Sequence, residues 1–165
     1  MMQRALRVLS VAFLVVSLLT TLQPSSAAPS AAAKDLVGTW RLVSYEDWDA
    51  SGKLSRPYGE HPRGYFVFDA TGHVSINIMR MPPLPPFASK DEDVATPEEK
   101  QAAYDAYVGY FGTYSVEPGR FVTHVEGSLY PTYTNTDQAR PFVLNGETLI
   151  LGDGKTWKRV LERVR

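Results

Sequence analysis

Apolar and polar residues alternate with a period of two in several short segments beyond residue 36. In residues 73–79, HVSINIM, one valine and two isoleucines occupy every second position between polar side chains. Successive side chains of a β-strand point to opposite faces, so this pattern indicates a strand with one buried face. Comparable runs are separated by turn signals at Gly72, Gly119 and Gly146. The alternation therefore predicts about eight short antiparallel strands.

The period changes in residues 96–112, TPEEKQAAYDAYVGYFG. Thr96 is suited to cap a helix N-terminus, Pro97 to the first helical position, and Glu99 to complete a capping box. Small and aromatic residues then recur at spacings of three and four. This pattern predicts one helix in the middle of the chain. Ala103, Tyr107 and Tyr110 are expected on one of its faces, and Gly109 and Gly112 are expected to end it.

The predicted fold class is all-β, an antiparallel barrel or sandwich of about eight strands with that helix inserted between them. Residues 82–86, PPLPP, are predicted to be a loop, because proline lacks the amide donor that regular structure needs. Barrels of this size either are filled by side chains or hold one small ligand. The function therefore depends on whether the barrel is hollow.

The N-terminal segment has a different character. Its first seven residues contain two arginines and no acid, residues 8–22 are apolar apart from serine and threonine, and small residues follow. This order predicts a secretory signal peptide, residues 1–28, cleaved between Ala27 and Ala33. A retained membrane anchor is the alternative, but the apolar run of 15 residues is shorter than the roughly 17–25 that span a bilayer as a helix.

Residues 29–35 are then expected to form a flexible linker and residues 36–165 the barrel domain. The signal implies export, to the periplasm or beyond the cell, with no stable membrane anchor after cleavage. All 18 acidic residues but only 15 of the 17 basic ones lie beyond the signal, so the mature net charge would be −3. A mildly acidic domain lacks the basic surface that nucleic acids require, so no nucleic-acid partner is expected.

Few catalytic signatures are present in the sequence. It contains no cysteine, which excludes disulfides and thiol chemistry. The three histidines, His61, His73 and His124, show no metal-ligand spacing, and neither a serine-hydrolase elbow nor a phosphate-binding loop occurs. Neither a metal nor a cofactor is expected.

Several stretches resemble the bacterial lipocalin-like domain family, small calycin-type barrels, and this resemblance implies that the all-β fold is an antiparallel barrel of about eight strands. They are LVGTWRLVSYE from residue 36, GYFVFDATGHVS from 64, AYVGYFGTYSV from 106, VTHVEGSLYPTYTNTDQARPF from 122 and TWKRV from 156. The resemblance implies that Trp40 of the first strand closes one end of the barrel beneath an arginine from the last strand. Arg159 is the expected partner, with Arg163 in reserve, because a guanidinium can stack on an indole face.

The middle of the family pattern resembles THHVEGS followed by a proline loop ending near GTEQVR. This chain departs from it at Thr123, where the pattern has a histidine, and at Asn135, where it has a glycine. His124 and Glu126 lie two residues apart and share one face of a strand. Alternation favours a solvent face for both, but the resemblance is densest at this segment, so we expect them to face inward with Arg140.

Three hypotheses for the function follow. The first is binding of a small, largely hydrophobic molecule, with a site formed by Tyr107, Tyr110, Tyr114, His124, Glu126, Arg140 and Arg80. The second is a cofactor-free isomerase or cyclase, in which His124 is the acid–base group, Glu126 orients it, and Arg140 or Arg80 stabilises an anion. The third is a solid barrel that serves as an interaction module. The first is the leading hypothesis, and it rests on fold analogy and the tyrosine supply.

Overall fold

The computed structural model describes residues 31–165, with side chains from Ala33 onward. The helices are α1 (Ala31–Leu36) and α2 (Pro97–Asp105), with one 3-10 turn at Pro131–Tyr133. The strands are β1 (Gly38–Trp48), β2 (Leu54–Ser55), β3 (Arg63–Phe68), β4 (His73–Met79), β5 (Tyr107–Glu117), β6 (Arg120–Ser128), β7 (Asp137–Asn145), β8 (Thr148–Gly152) and β9 (Trp157–Arg163). The predicted signal peptide, residues 1–28, lies outside the described residues. Within residues 31–165, no helix has the length and apolarity that crossing a bilayer would demand.

The strands form one antiparallel sheet that closes on itself. Its order is β2-β1-β3-β4-β5-β6-β7-β8-β9, and β1 pairs also with β9. Closure therefore joins the first long strand to the last, and only the two-residue β2 is additional to the eight-stranded barrel. The predicted all-β barrel is confirmed.

The helix α2 begins as the sequence predicts but is shorter. Thr96 caps it, and Glu99 completes the capping box. It ends at Asp105, whereas Tyr107 and Tyr110, which we placed on its face, lie in strand β5. That part of the prediction was wrong: in residues 107–112 burial alternates along a strand, and pairing with β4 and β6 satisfies their backbone groups.

Trp40 plugs one end of the barrel. It is fully buried, and its indole Nε1 donates a hydrogen bond to the carbonyl oxygen of Leu36, 2.9 Å away. The guanidinium of Arg163 stacks on the indole, with its carbon 4.1 Å from the ring centroid. The expected pairing of Trp40 with Arg159 was therefore wrong, since β1 and β9 pair in a register that sets Trp40 opposite Arg163 and Arg159 opposite Tyr45.

The segment before β1 takes part in this closure. Residues 31–35, which we expected to be a linker, form most of α1. Arg163 donates hydrogen bonds to the carbonyl oxygens of Asp35 and Val37, and these bonds connect β9 to the segment before β1. Gly38 has a φ of +138°, and a side chain there would come within 2.7 Å of an Arg163 nitrogen. The glycine of the Gly38-x-Trp40 motif thus leaves room for the stacked arginine.

Strand β6 turns Phe121, Thr123 and Val125 into the core, where each is fully buried. Apolar burial of this kind is the main source of barrel stability. The hydroxyl oxygen of Thr123 is an exception, because it finds no hydrogen-bond partner within the described residues. A buried hydroxyl without a partner loses its hydrogen bonds to water and forms none within the protein, which destabilises the folded state.

Replacing Thr123 with valine is therefore expected to raise the free energy of unfolding by about 1 kcal/mol, because valine has the same shape without the unpaired hydroxyl. Urea denaturation followed by tryptophan fluorescence measures the change. The matched control is Thr136→Val, since the Thr136 hydroxyl donates to the Tyr133 carbonyl oxygen at 2.6 Å and accepts from Gln138. That control should be destabilised. A loss of stability in Thr123→Val would contradict the assignment of an unpaired hydroxyl.

Candidate functional site

A cavity of about 430 Å³ opens at the end of the barrel opposite Trp40. Its inner wall is apolar and consists of side chains from β3, β4, β5 and β8: Phe66, Ile76, Ile78, Val108 and Leu151. The rest of the lining is mainly aromatic, with five tyrosines and Trp157, and one of these tyrosines, Tyr110, pairs directly opposite Ile76. The barrel is thus filled at one end and hollow at the other.

The five tyrosines of the cavity, Tyr45, Tyr58, Tyr110, Tyr130 and Tyr133, contact one another edge to face. Ring centroids are 4.7 Å apart for Tyr45 and Tyr58, 5.7 Å for Tyr130 and Tyr133, and 5.8 Å for Tyr110 and Tyr133. The hydroxyls of Tyr58 and Tyr130 lie 3.3 Å apart. Burial raises the pKa of Tyr58 and of Tyr110, so both hydroxyls keep their protons and remain donors.

The rim near Trp157 is held by a turn. The Asp153 carboxylate accepts hydrogen bonds from the backbone amides of Lys155 and Thr156, each at 2.8 Å, and from the Thr156 hydroxyl. These bonds hold the pKa of Asp153 well below its usual range. The turn therefore positions Thr156 and Trp157 at the cavity mouth.

A second part of the rim is the loop after β6. The backbone amide of Asn135 donates to the carbonyl oxygen of Val125, 2.8 Å away. Asn135 has a φ of +60°, where the lipocalin-like pattern has a glycine. Asparagine is one of the few other residues that tolerate this conformation. The departure at this position therefore preserves the loop, which carries Tyr130 and Tyr133 to the cavity.

Arg159 lies in the cavity wall and is almost completely buried. Its Nη2 lies 2.8 Å from the Asp47 carboxylate, and Nη1 donates to the carbonyl oxygens of Glu46 and Lys158 at 2.6 and 3.0 Å. The guanidinium carbon is 3.1 Å from the ring centroid of Tyr45. Both the charge and the donors of Arg159 are thus largely engaged within the protein.

Arg140 of β7 reaches the same cavity from the other side. Its nitrogens donate to the amide oxygen of Gln138 at 3.0 Å and to the carbonyl oxygen of Ala139 at 3.1 Å. Its guanidinium carbon lies 5.9 Å from the Trp157 ring centroid. Within residues 31–165, no carboxylate forms an ion pair with it.

Two of the predicted site residues, Tyr110 and Arg140, line the cavity. Tyr107 and Arg80 lie instead on a groove outside the barrel, between the proline-rich loop and α2, and the Tyr107 hydroxyl donates to Asn77 at 2.6 Å. Tyr114 is nearer the closed end, where its ring contacts Phe68 and its hydroxyl donates to the Asp69 carbonyl oxygen.

The inward orientation that we expected for His124 and Glu126 was wrong. Both side chains are exposed, and His124 Nδ1 lies 2.9 Å from the Asp137 carboxylate on the outer surface. Phe121, Thr123 and Val125 take the inner face, as the alternation along β6 had indicated. The arrangement gives no support to an isomerase or cyclase that uses His124 and Glu126 inside the barrel. The described residues also hold no group of three or more side chains suited to bind a metal ion.

The residues that sequence reasoning missed come from the first and last strands of the barrel, from the segment after β2 and from the loop after β6. Tyr45 and Trp157 lie near the junction of β1 with β9, and Tyr58 follows the short strand β2. Tyr130 and Tyr133 lie in the loop that residues 129–135, LYPTYTN, form after β6. The signal that could have found them was the barrel closure itself, because it brings the end of β1 beside the start of β9.

Comparison with known protein families agrees with this fold. The model of the lipocalin-like domain family matches residues 37–163. Among solved structures, a lipocalin-like protein from Bacteroides uniformis is 14% identical with a TM-score of 0.46, over 79% of this chain and 99% of its own. An uncharacterised protein from Bacteroides eggerthii is 13% identical with a TM-score of 0.42, over 78% and 98%. No curated protein matches.

The family match covers the barrel from the residue before β1 to the end of β9. It contains Trp40 and Arg163, which close one end, and the whole wall of the cavity at the other. The resemblance that the five sequence stretches carried is thus confirmed. The chain belongs to the lipocalin-like domain family.

Proposed function

We propose that this protein binds a small, largely apolar molecule in the cavity at the open end of its barrel. The observation that carries the proposal is the cavity itself, about 430 Å³ in a barrel whose other end is closed by Trp40. Sites for small molecules have volumes of about 300–1,000 Å³ and are mostly apolar, with a few polar groups that fix orientation. Both the size and the lining fit that description.

The lining also indicates the kind of ligand. The inner wall offers aliphatic side chains and Phe66, with no hydrogen-bonding group, and so favours an apolar body. Tyrosine hydroxyls and Arg140 line the same cavity, where they can meet the polar part of a ligand. A molecule with an apolar body and one polar end therefore matches the cavity better than a uniformly polar one.

Val108, which is buried in the cavity wall, provides a direct test. Val108→Trp is expected to weaken binding of the neutral fluorescent probe N-phenyl-1-naphthylamine at least tenfold, because the indole fills the space that the probe would occupy. Probe fluorescence, which rises in apolar surroundings, is titrated against protein concentration. The matched control is Val143→Trp on β7, whose side chain is 56% exposed on the outer surface.

A second variant guards against a loss of folding. Val108→Phe adds a smaller ring and should weaken the probe severalfold, and circular dichroism confirms that each variant is folded. Equal probe binding by the wild type, Val108→Trp and Val108→Phe would place the probe elsewhere and overturn the proposal. So would failure of the wild type to bind the probe at all.

We further propose that the protein acts outside the cytoplasm, in the periplasm or beyond the cell. The support is the order of the N-terminal segment, with basic residues, an apolar run and then small residues. Expression of the full chain in a bacterial host should release a soluble domain that begins between residues 28 and 34. N-terminal sequencing of the exported protein measures this, and an intact Met1 in the membrane fraction would contradict it.

A further inference from the structure

The charges of the side chains that line the cavity do not sum to zero. The charged side chains are Asp47, Arg140 and Arg159. Asp47 and Arg159 form an ion pair at 2.8 Å, which leaves the positive charge of Arg140 without a carboxylate partner in residues 31–165. The hydrogen bonds of Arg140 to Gln138 and Ala139 go to neutral oxygens. The cavity therefore carries one net positive charge when it holds no ligand.

The donors of Arg140 are not exhausted by these bonds. A guanidinium carries five N–H groups in a planar fork, and the two bonds to Gln138 and Ala139 leave others available. Arg159 differs, because its nitrogens already serve Asp47 and two backbone carbonyl oxygens. Of the two cavity arginines, Arg140 is the one that can accept a new anionic partner.

Tyr110 adds a second donor at the same place. Its side chain is 7% exposed and lines the cavity. Burial raises the pKa of Tyr110, and the charge of Arg140 together with a side-chain hydrogen bond from it opposes that rise, so the protonated phenol lies beside the guanidinium. A guanidinium and a phenol O–H that converge on one region offer hydrogen to an oxygen that carries negative charge.

We propose that the ligand of this cavity carries one negatively charged oxygen group, of the carboxylate type, which Arg140 and Tyr110 hold while its apolar body lies against the inner wall. This inference rests on the proposed function and names the class of its ligand. The anion compensates the one cavity charge that the protein leaves unpaired, and the aliphatic wall receives the part of the ligand that avoids water.

Two probes with one aromatic body test the inference. N-phenyl-1-naphthylamine is neutral, and 1-anilinonaphthalene-8-sulfonate is the same molecule with a sulfonate. The wild-type domain is expected to bind the sulfonate about tenfold more tightly, a preference worth 1.4 kcal/mol. Arg140→Gln should remove that preference, because the sulfonate loses its charged partner and so loses more affinity than the neutral probe, while an uncharged side chain of similar length keeps the shape of the cavity.

Matched variants show whether the preference for the sulfonate depends on the charge at residue 140 or on the net charge of the whole protein. Arg140→Lys keeps the positive charge and should retain part of the preference. Arg120→Gln changes the net charge by the same amount, but Arg120 lies on the outer surface, where it pairs with Glu117, and the preference should stay unchanged. Tyr110→Phe should reduce the preference severalfold through loss of its O–H donor.

The outcomes distinguish this inference from the function on which it rests. Binding of the neutral probe with no preference for the sulfonate overturns the inference and leaves the apolar site standing. Equal loss of both probes in Arg140→Gln, or a sulfonate preference that survives that substitution, overturns it as well. If neither probe binds the wild type, the proposed function fails together with the inference.

Discussion

Trp40→Ala is expected to lower the free energy of unfolding by about 3–5 kcal/mol, the range for truncating a large buried aromatic side chain. The indole is fully buried at the closed end of the barrel. Its removal leaves a void beneath Arg163 and frees the Leu36 carbonyl oxygen, which loses its hydrogen bond from Nε1. Urea denaturation of the domain, followed by circular dichroism at 25 °C, measures the loss.

A double-mutant cycle identifies the partner of Trp40. Arg163→Ala should cost less than Trp40→Ala, and the two losses should be coupled, because the guanidinium stacks on the indole. Arg159→Ala serves as the control, since Arg159 stacks on Tyr45 at the other end and should combine additively with Trp40→Ala, within about 0.5 kcal/mol. Coupling to Arg159 and additivity with Arg163 would reverse the assignment that the structure makes.

The strands could be predicted from the sequence because their signal is local. In β4, alternate burial of Val74, Ile76 and Ile78 repeats the alternation of the sequence residue by residue. The same rule indicated the orientation of β6, with Phe121 and Val125 inside. Our expectation that His124 would face inward gave more weight to the family resemblance than to this pattern, and the pattern was right.

The arginine that stacks on Trp40 could not be predicted from local alternation. Arg159 and Arg163 are four residues apart on β9. Their order along the strand does not say which one reaches the closed end. The choice depends on the register between β1 and β9, which are separated by most of the domain. Register over such a distance follows from the packing of the whole barrel and has no local signature.

The residues that line the cavity could not be predicted from the sequence for a related reason. Tyr110 and Arg140 were identified as candidates, but the residues that complete their surroundings come from distant segments, among them Tyr45 and Trp157. The helix prediction also assigned Tyr110 to the wrong element, because the period of α2 ends at Asp105, two residues before β5 begins. The sequence shows how many tyrosines the chain contains, but which of them contact one another depends on how the sheet closes.

Arg159→Met is expected to lower the free energy of unfolding by about 2–4 kcal/mol, because it leaves the Asp47 carboxylate without its ion-pair partner. The Arg159 side chain is 11% exposed and that of Asp47 is 36% exposed, so water compensates part of the loss. The contact with Tyr45 and the bond to the Glu46 carbonyl oxygen are lost as well. Urea denaturation at pH 7 measures the change, and Arg140→Met provides the comparison.

That comparison separates the two cavity arginines by role. Arg140 forms no ion pair within the described residues, so Arg140→Met should cost under about 1 kcal/mol, within the range of substitutions that disturb no buried network. In the Arg159→Met background, Asp47→Asn should recover part of the lost stability, because it removes the carboxylate that the first substitution left unpaired. If Arg140→Met were the more destabilising of the two, Arg140 would be part of the structural network of the barrel. The absence of recovery with Asp47→Asn would show that the loss in Arg159→Met comes from packing on Tyr45 and not from the ion pair.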